Sequence, residues 1–180
     1  MARKRSTILM VIIGIVVCIF VVGAGTATWF YLSVFDSVDV KPVIIDAMLS
    51  AEAAAGVVYA GIRVPESTAV VRADREMLRA VLLNLLLNAC QSGSSTPIEV
   101  LVSQQDGTCA IDIADRGAGF GNTDPEGLFE AFHTTKKSGT GLGLAIVRRL
   151  VSLQGGTVVL LPREGGGAIA RLTLPCAPSA

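Results

Sequence analysis

The sequence predicts an α+β fold, a two-layer sandwich with helices on one face of a mixed sheet, preceded by one transmembrane helix. Three observations carry that reading. Ser6 to Phe35 contains no charged residue. Beyond it, single helical patterns alternate with pairs of short strand patterns, which is how helices come to cover one face of a sheet. Near the C-terminal end, a loop rich in threonine, lysine and glycine runs into an apolar-periodic helix at "FEAFHTTKKSGTGLGLAIVRRL", Phe129 to Leu150.

The boundaries follow in chain order: a basic flank at 1–5, the span at 6–35, a linker at 36–42, a domain at 43–175 and a tail at 176–180. Ile8 to Val22 is almost continuously aliphatic, and the whole uncharged run is long enough to cross about 30 Å of hydrocarbon. Trp29, Phe30 and Tyr31 suit an interfacial aromatic belt. A cleaved signal peptide is the alternative, with Gly25 and Ala27 flanking the cut, but the apolar run continues past them.

Pro42 occupies a first helical position, and Val43 to Ala55 reads as the first helix. Val57 to Val64 is β-branched and reads as a strand, Pro65 to Ser67 as a turn, and Ala69 to Arg72 as a short strand. Asp74 is a good N-cap for a helix to about Gln91, whose stripe of Leu78, Val81, Leu82, Leu85, Leu86 and Ala89 faces a core. "SGSSTP" breaks the chain, and Ile98–Ser103 and Cys109–Asp115 alternate as strands around the hairpin signal Asp106-Gly107. Leu144 to Leu153 is helical, Gly155 stops it, and Thr157–Leu161 pairs with Ala168–Leu174 across "PREGGG".

Composition narrows the function. With 180 residues there is room for one domain and an appendage. Arg3, Lys4 and Arg5 hold three of fifteen basic residues, leaving twelve against fifteen acidic ones, so no nucleic-acid surface is expected. Cys18, Cys90, Cys109 and Cys176 lack metal-ligand spacing and read as small hydrophobes.

Helix N-termini leave N–H groups unpaired and carry partial positive charge, so the loop with Gly139, Gly141 and Gly143 reads as a phosphate cradle. It is not the Walker pattern, because no Gly-Lys-Ser/Thr follows a four-residue gap. Upstream stand "NLLLNA" at Asn84 to Ala89, with Asn84 and Asn88 on one helix face, and "DRGAGF" at Asp115 to Phe120.

In that order, these blocks resemble the N box, G1 box and G2 box of the GHKL (Bergerat-fold) ATP-binding superfamily, with "LFEAFHTTK" similar to its F box. The catalytic ATP-binding domain of two-component sensor histidine kinases is the nearest likeness, over Val38 to Pro175. The resemblance implies ATP and Mg2+ as ligands. It implies that Asp115 accepts the adenine amino group, with Gly117 and Gly119 making room, and that Asn88 binds the metal through its amide oxygen. Asn84 matches a position held by a general-base glutamate in the hydrolysing members; asparagine cannot take a proton, which suits a kinase that preserves its γ-phosphate. Thr135 and Lys136 would neutralise and bond the outer phosphates, with Lys137 the alternative, while Thr140, Gly141, Leu142, Gly143 and Leu144 supply backbone N–H groups. Asn84 and Lys136 are therefore the catalytic candidates, the loop between Phe120 and Gly139 is expected to form a small lid over the nucleotide, and Phe129 and Phe132 are expected to anchor it to the core.

The usual dimerising hairpin with its phosphoacceptor histidine is missing from the sequence, whose single histidine, His133, lies in the F-box loop. The resemblance therefore implies transfer of the γ-phosphate to a histidine on another polypeptide or lost segment, and through it an indirect partnership with a response regulator. A catalytically silent ATP-binding module and a serine/threonine kinase of the anti-sigma-factor type stay open. Localisation is expected at a bacterial inner membrane, single-pass, with a cytoplasmic catalytic domain. That conflicts with the basic triplet, which predicts a cytoplasmic N-terminus and hence an outside domain, and the nucleotide motifs are given precedence.

Overall fold

Strand and helix signals close to one another in sequence are realised as expected, whereas long-range pairings supply the differences. The computed structural model describes residues 35–55, 62–63, 65–94, 96–132 and 141–178. Contacts separate Met1–Phe35 from Asp36–Ala180, and the architecture below is that of the second unit. The expected transmembrane helix and its aromatic belt lie outside the described residues. Among the described residues no helix is long and apolar enough to cross a membrane.

The order is β1 (Asp36–Asp39), α1 (Val40–Ala55), β2 (Ile62–Arg63), β3 (Val70–Ala73), α2 (Arg75–Cys90), β4 (Ile98–Gln105), β5 (Thr108–Ala114), a 3-10 turn (Gly127–Phe129), α3 (Gly143–Leu153), β6 (Thr157–Pro162) and β7 (Ala168–Pro175). Five strands form one sheet in the order β2-β4-β5-β7-β6. It is mixed, because β2 runs parallel to β4 while the other neighbours are antiparallel. On its inner face Ile98, Val100, Cys109, Ile111, Ile113, Leu172 and Leu174 are buried against the helices, and α1 packs on α2, which packs on α3. The outer face carries the bidentate pair of Arg171 and Asp112, directly opposite in register, at 2.8 and 2.7 Å. This is the α+β sandwich with helices on one face.

Three departures have physical reasons. Residues 36–39, within the stretch read as linker, form a strand that pairs antiparallel with β3. Asp36, Ser37 and Asp39 hide that strand from a hydrophobicity pattern, and only Val38 is buried. The two short strands between the first helices do not pair with each other, since β3 joins β1 in a separate two-stranded sheet and β2 joins β4. Helix α1 starts at Val40, so Pro42 is its third residue rather than its first. A proline there still costs no helical bond, because the first four N–H groups have no intrahelical partner. The Asp39 carboxylate accepts from Lys41 N at 3.0 Å and from the Thr68 hydroxyl; these bonds, that of Thr68 foremost, hold its pKa below the usual value.

Helix α2 is fixed at its start as the sequence proposes: Asp74 accepts from Met77 N at 2.8 Å. Its apolar stripe, Leu78, Val81, Leu82, Leu85 and Leu86, is buried, each such side chain contributing about 1.5–3 kcal/mol by leaving water. Gln154, itself 3% exposed, accepts from Asp74 N at 3.1 Å and donates to Leu150 O at 3.1 Å, tying the end of α3 to the start of α2. Helix α3 closes with Gly156 N on Val151 O at 3.0 Å and Gly155 N on Ser152 O at 3.1 Å, the double bond pattern of a Schellman stop. The β4–β5 hairpin turns on Asp106 and Gly107, both with positive φ (50° and 75°), which matches the right-handed twist of its strands.

Candidate functional site

The sheet ends one residue before Asp115, and the polypeptide there turns beneath the C-terminal end of α2 to leave a cavity of about 320 Å³. Leu85, Asn88 and Ala89 line it from α2, Ile113 and Asp115 from β5 and its end, and Leu160, Ala168 and Ala170 from the β6–β7 hairpin. Gly119, Phe120, Thr123 and Leu128 line it from the following segment, and Leu144 from α3. The lining is mostly apolar with a few polar groups, as in sites that take a flat heteroaromatic ligand.

Asp115 is the buried carboxylate of the described residues, 6% exposed. Its Oδ1 accepts from Gly117 N at 2.7 Å, which orients the carboxylate and leaves Oδ2 with capacity for a donor in the cavity. Its backbone is held as well: Asp115 N donates to Ala168 O at 2.9 Å, and the guanidinium of Arg163 donates to Asp115 O at 3.3 Å. Arg163 is also paired with Glu99, and Glu99 with Arg63 at 3.7 Å, so an ionic network braces the turn. Neither Arg163 nor Glu99 was singled out by sequence motif.

Two glycines make the geometry possible. A Cβ on Gly117 would sit 2.2 Å from Ser92 Oγ and 2.3 Å from Ser92 O. A Cβ on Gly167, whose φ is +95°, would sit 2.1 Å from Asp115 O. Gly117 is legible in "DRGAGF"; in "PREGGG" nothing local distinguishes Gly167 from its two glycine neighbours.

The asparagines divide. Asn88 lines the cavity, whereas Asn84 lies toward α3: its amide donates to Ala80 O at 2.9 Å, and its Oδ1 is 3.1 Å from where a Cβ on Gly143 would be. A side chain at Gly143 would press on the Asn84 amide, which would have to give by a few tenths of an ångström. At the cap position of α3 stands Leu142, whose side chain brings no acceptor to the first turn of this helix.

Gly141 and Leu142 precede α3, and Gly143 and Leu144 open it. Thr135, Lys136 and Thr140, with Lys137, His133 and Gly139, lie outside the described residues. Phe132 and Gly141 approach each other across that segment, with Phe132 N on Gly141 O at 2.9 Å. Phe129 is buried at 4% exposure, under the Arg148 guanidinium 4.0 Å from its ring, and Arg148 also pairs with Glu126 at 2.6 Å. Phe132 corrects the expectation that both phenylalanines anchor: it is 77% exposed with φ of 68°. Of the two, Phe129 is the one packed into the core. Cys90, Cys109 and Cys176 are free thiols.

Residues 73–178 match the family described as histidine kinase-, DNA gyrase B- and HSP90-like ATPases. The chain belongs to that family. Within this ATPase family, it is 42% identical over 106 residues to the sensor histidine kinase ZraS of Escherichia coli O157:H7, covering 58% of this chain and 23% of that one. The chain therefore spans about a quarter of the length of that relative. Among solved structures, the mycobacterial sensor histidine kinase MprB superposes with a TM-score of 0.68 at 26% identity, covering 81% of this chain and 99% of that one. Full-length ShkA, solved in complex with AMPPNP, gives a TM-score of 0.66 at 29% identity, covering 86% of this chain and 33% of that one. The chain thus carries the ATP-binding domain of the histidine-kinase type, and ATP is the ligand the family fold accommodates.

Proposed function

We propose that this domain binds Mg-ATP and delivers the γ-phosphate to a histidine carried by a separate dimerising hairpin, within a membrane-attached two-component system. The buried carboxylate of Asp115, lining a mostly apolar cavity and oriented by Gly117 N, carries the reading. A pure acceptor in that place selects a base with an exocyclic amine, and the apolar walls of Leu85, Ile113 and Leu160 suit a flat ring.

Asn88 is the metal residue of this account, offering an amide oxygen at the mouth of α2. Among the described residues no cluster of three or more acidic, histidine or cysteine side chains is placed to hold an ion. That donor set fits Mg2+, which is held by few protein groups and the nucleotide phosphates and neutralises charge on the latter. The start of α3, with Gly141, Leu142, Gly143 and Leu144, supplies backbone N–H groups to the phosphates, and Thr135, Lys136 and Thr140 complete the clamp. Asn84 has no proton-accepting nitrogen or carboxylate with which to activate water, so transfer is favoured over hydrolysis. In the transfer, an imidazole nitrogen forms a bond to the γ-phosphorus, the bond from phosphorus to the β,γ-bridging oxygen breaks, and ADP leaves. The uncharged Ser6–Phe35 run supports a membrane anchor, and the response regulator enters downstream as acceptor from the phosphohistidine.

Asp115→Asn tests the central assignment. The near-isosteric change keeps the turn but swaps an acceptor oxygen for a donor, and about a hundredfold loss of ATP affinity is expected by titration calorimetry, with an unaltered unfolding transition; charged hydrogen bonds contribute about 1.5–3 kcal/mol. Unchanged affinity would remove Asp115 from base recognition.

A further inference from the structure

Helices α2 and α3 run antiparallel, because the C-terminal end of α3 meets the start of α2 while the start of α3 meets the second half of α2. Both meeting points are tight. At the end remote from the cavity, Gln154, 3% exposed, accepts from Asp74 N at 3.1 Å and donates to Leu150 O at 3.1 Å, so one buried amide joins the backbones of the two helix ends. At the near end, Gly143 leaves a Cβ position only 3.1 Å from Asn84 Oδ1. The stretches Asp74–Asn84 and Gly143–Gln154 are each about 16 Å long at the helical rise, so the two contacts belong to a single register of one helix on the other. Between them the buried side chains of α3 are Val147 and Val151, whose apolar contact is non-directional and does not fix a helix along its axis. The directional bonds of Gln154 do. A buried amide is stable there only with its partners in position, which makes its bonds a stop against sliding.

We propose that Gln154 is a positioning residue for the outer phosphates of the nucleotide: by tying the end of α3 to the start of α2, it sets where the opening turn of α3 stands beside Asn88. The inference rests on the reading that Gly143 and Leu144 offer backbone N–H groups to the phosphates. Leu144 and Asn88 line the same cavity, one from each helix, so a shift of α3 along α2 changes the separation of phosphate donors and metal residue. The Asp115 side of the cavity is built at the end of β5 and does not move with that shift.

The test is titration of the whole chain and its Gln154→Met variant with ATP and with AMP, both in the presence of Mg2+. Methionine keeps the volume and burial of the side chain but neither bond. ATP affinity should fall about tenfold in the variant, the order of one charge-assisted hydrogen bond, while AMP affinity changes by less than about twofold. A residue that only stabilises the fold would lower the unfolding midpoint and leave the ratio of the two affinities as in wild type; an unchanged ratio overturns the proposal whatever the midpoint. Should the variant not fold, hydrogen exchange of the Asp74 amide in wild type decides. Coupling between sites is reciprocal, so saturating ATP should slow that exchange about tenfold more than saturating AMP does, and equal slowing would overturn the proposal. Wild type that binds ATP no more tightly than AMP would overturn the reading of the α3 start as a phosphate site and this inference with it. Wild type that prefers ATP, with the preference intact in Gln154→Met, would overturn this inference alone.

Discussion

Burial pushes the Cys109 thiol from 9.0 up to about 11, with the nearby Cys176 adding to the shift. The unfolded chain releases this proton near 9.0 while the folded chain holds it, so stability is intact below pH 9 and is lost as pH rises from 9 toward 11. Cys109→Ala should flatten that decline in denaturant titrations at pH 8, 9 and 10; a wild-type slope in the variant would show that other groups set it. The same burial makes Cys109 a packing residue, not a nucleophile. At this scale the sequence was most informative where a motif is contiguous. Asp115, Gly117 and Gly119 fall within five residues and signal together. Ser92, Arg163 and Gly167 reach the same turn from far away in sequence, Arg163 from 48 residues, and serine, arginine and glycine are ordinary residues at a helix end or hairpin tip. Only folding brings them to the backbone of one turn.

Elements whose signals are local were readable in the same way. The Asp74 cap, the leucine stripe of α2, the Asp106-Gly107 turn and the Gly155 stop each depend on residues within a few positions of one another. Strand β1 did not announce itself, because its partner β3 lies some thirty residues on and its outer residues are polar. For the same reason the partners of β2 and β3 are not legible locally: long-range register assigns these two neighbours in sequence to different sheets. Capping is the testable part. Asp74→Ala removes the bond to Met77 N but keeps the backbone bond to Gln154, so a loss of about 1 kcal/mol is expected from the urea midpoint at unchanged slope. A loss within a few tenths of zero would mean that Gln154, not the cap, secures the start of α2. The larger consequence would be at the cavity, since α2 carries Asn88.

Over the Asp36–Ala180 unit, the sandwich places its cavity where the C-terminal end of α2 meets the end of β5, with Phe120, Thr123 and Leu128 along its side. Such a domain can hold and orient ATP, and on the proposed reading a separate hairpin brings the acceptor histidine. The division of labour fits a family in which the ATP-binding unit is one part of a longer kinase, and this chain spans about a quarter of ZraS. The most direct measurement is to incubate the whole chain and Mg2+ with ATP labelled on the γ-phosphate, alone and with a separate histidine-bearing hairpin domain, and to follow the label through acid treatment. Acid-labile label on the hairpin, dependent on Asp115, is the expected result; no label on the hairpin, or label that survives acid as phosphoserine does, would contradict phosphoryl transfer to histidine.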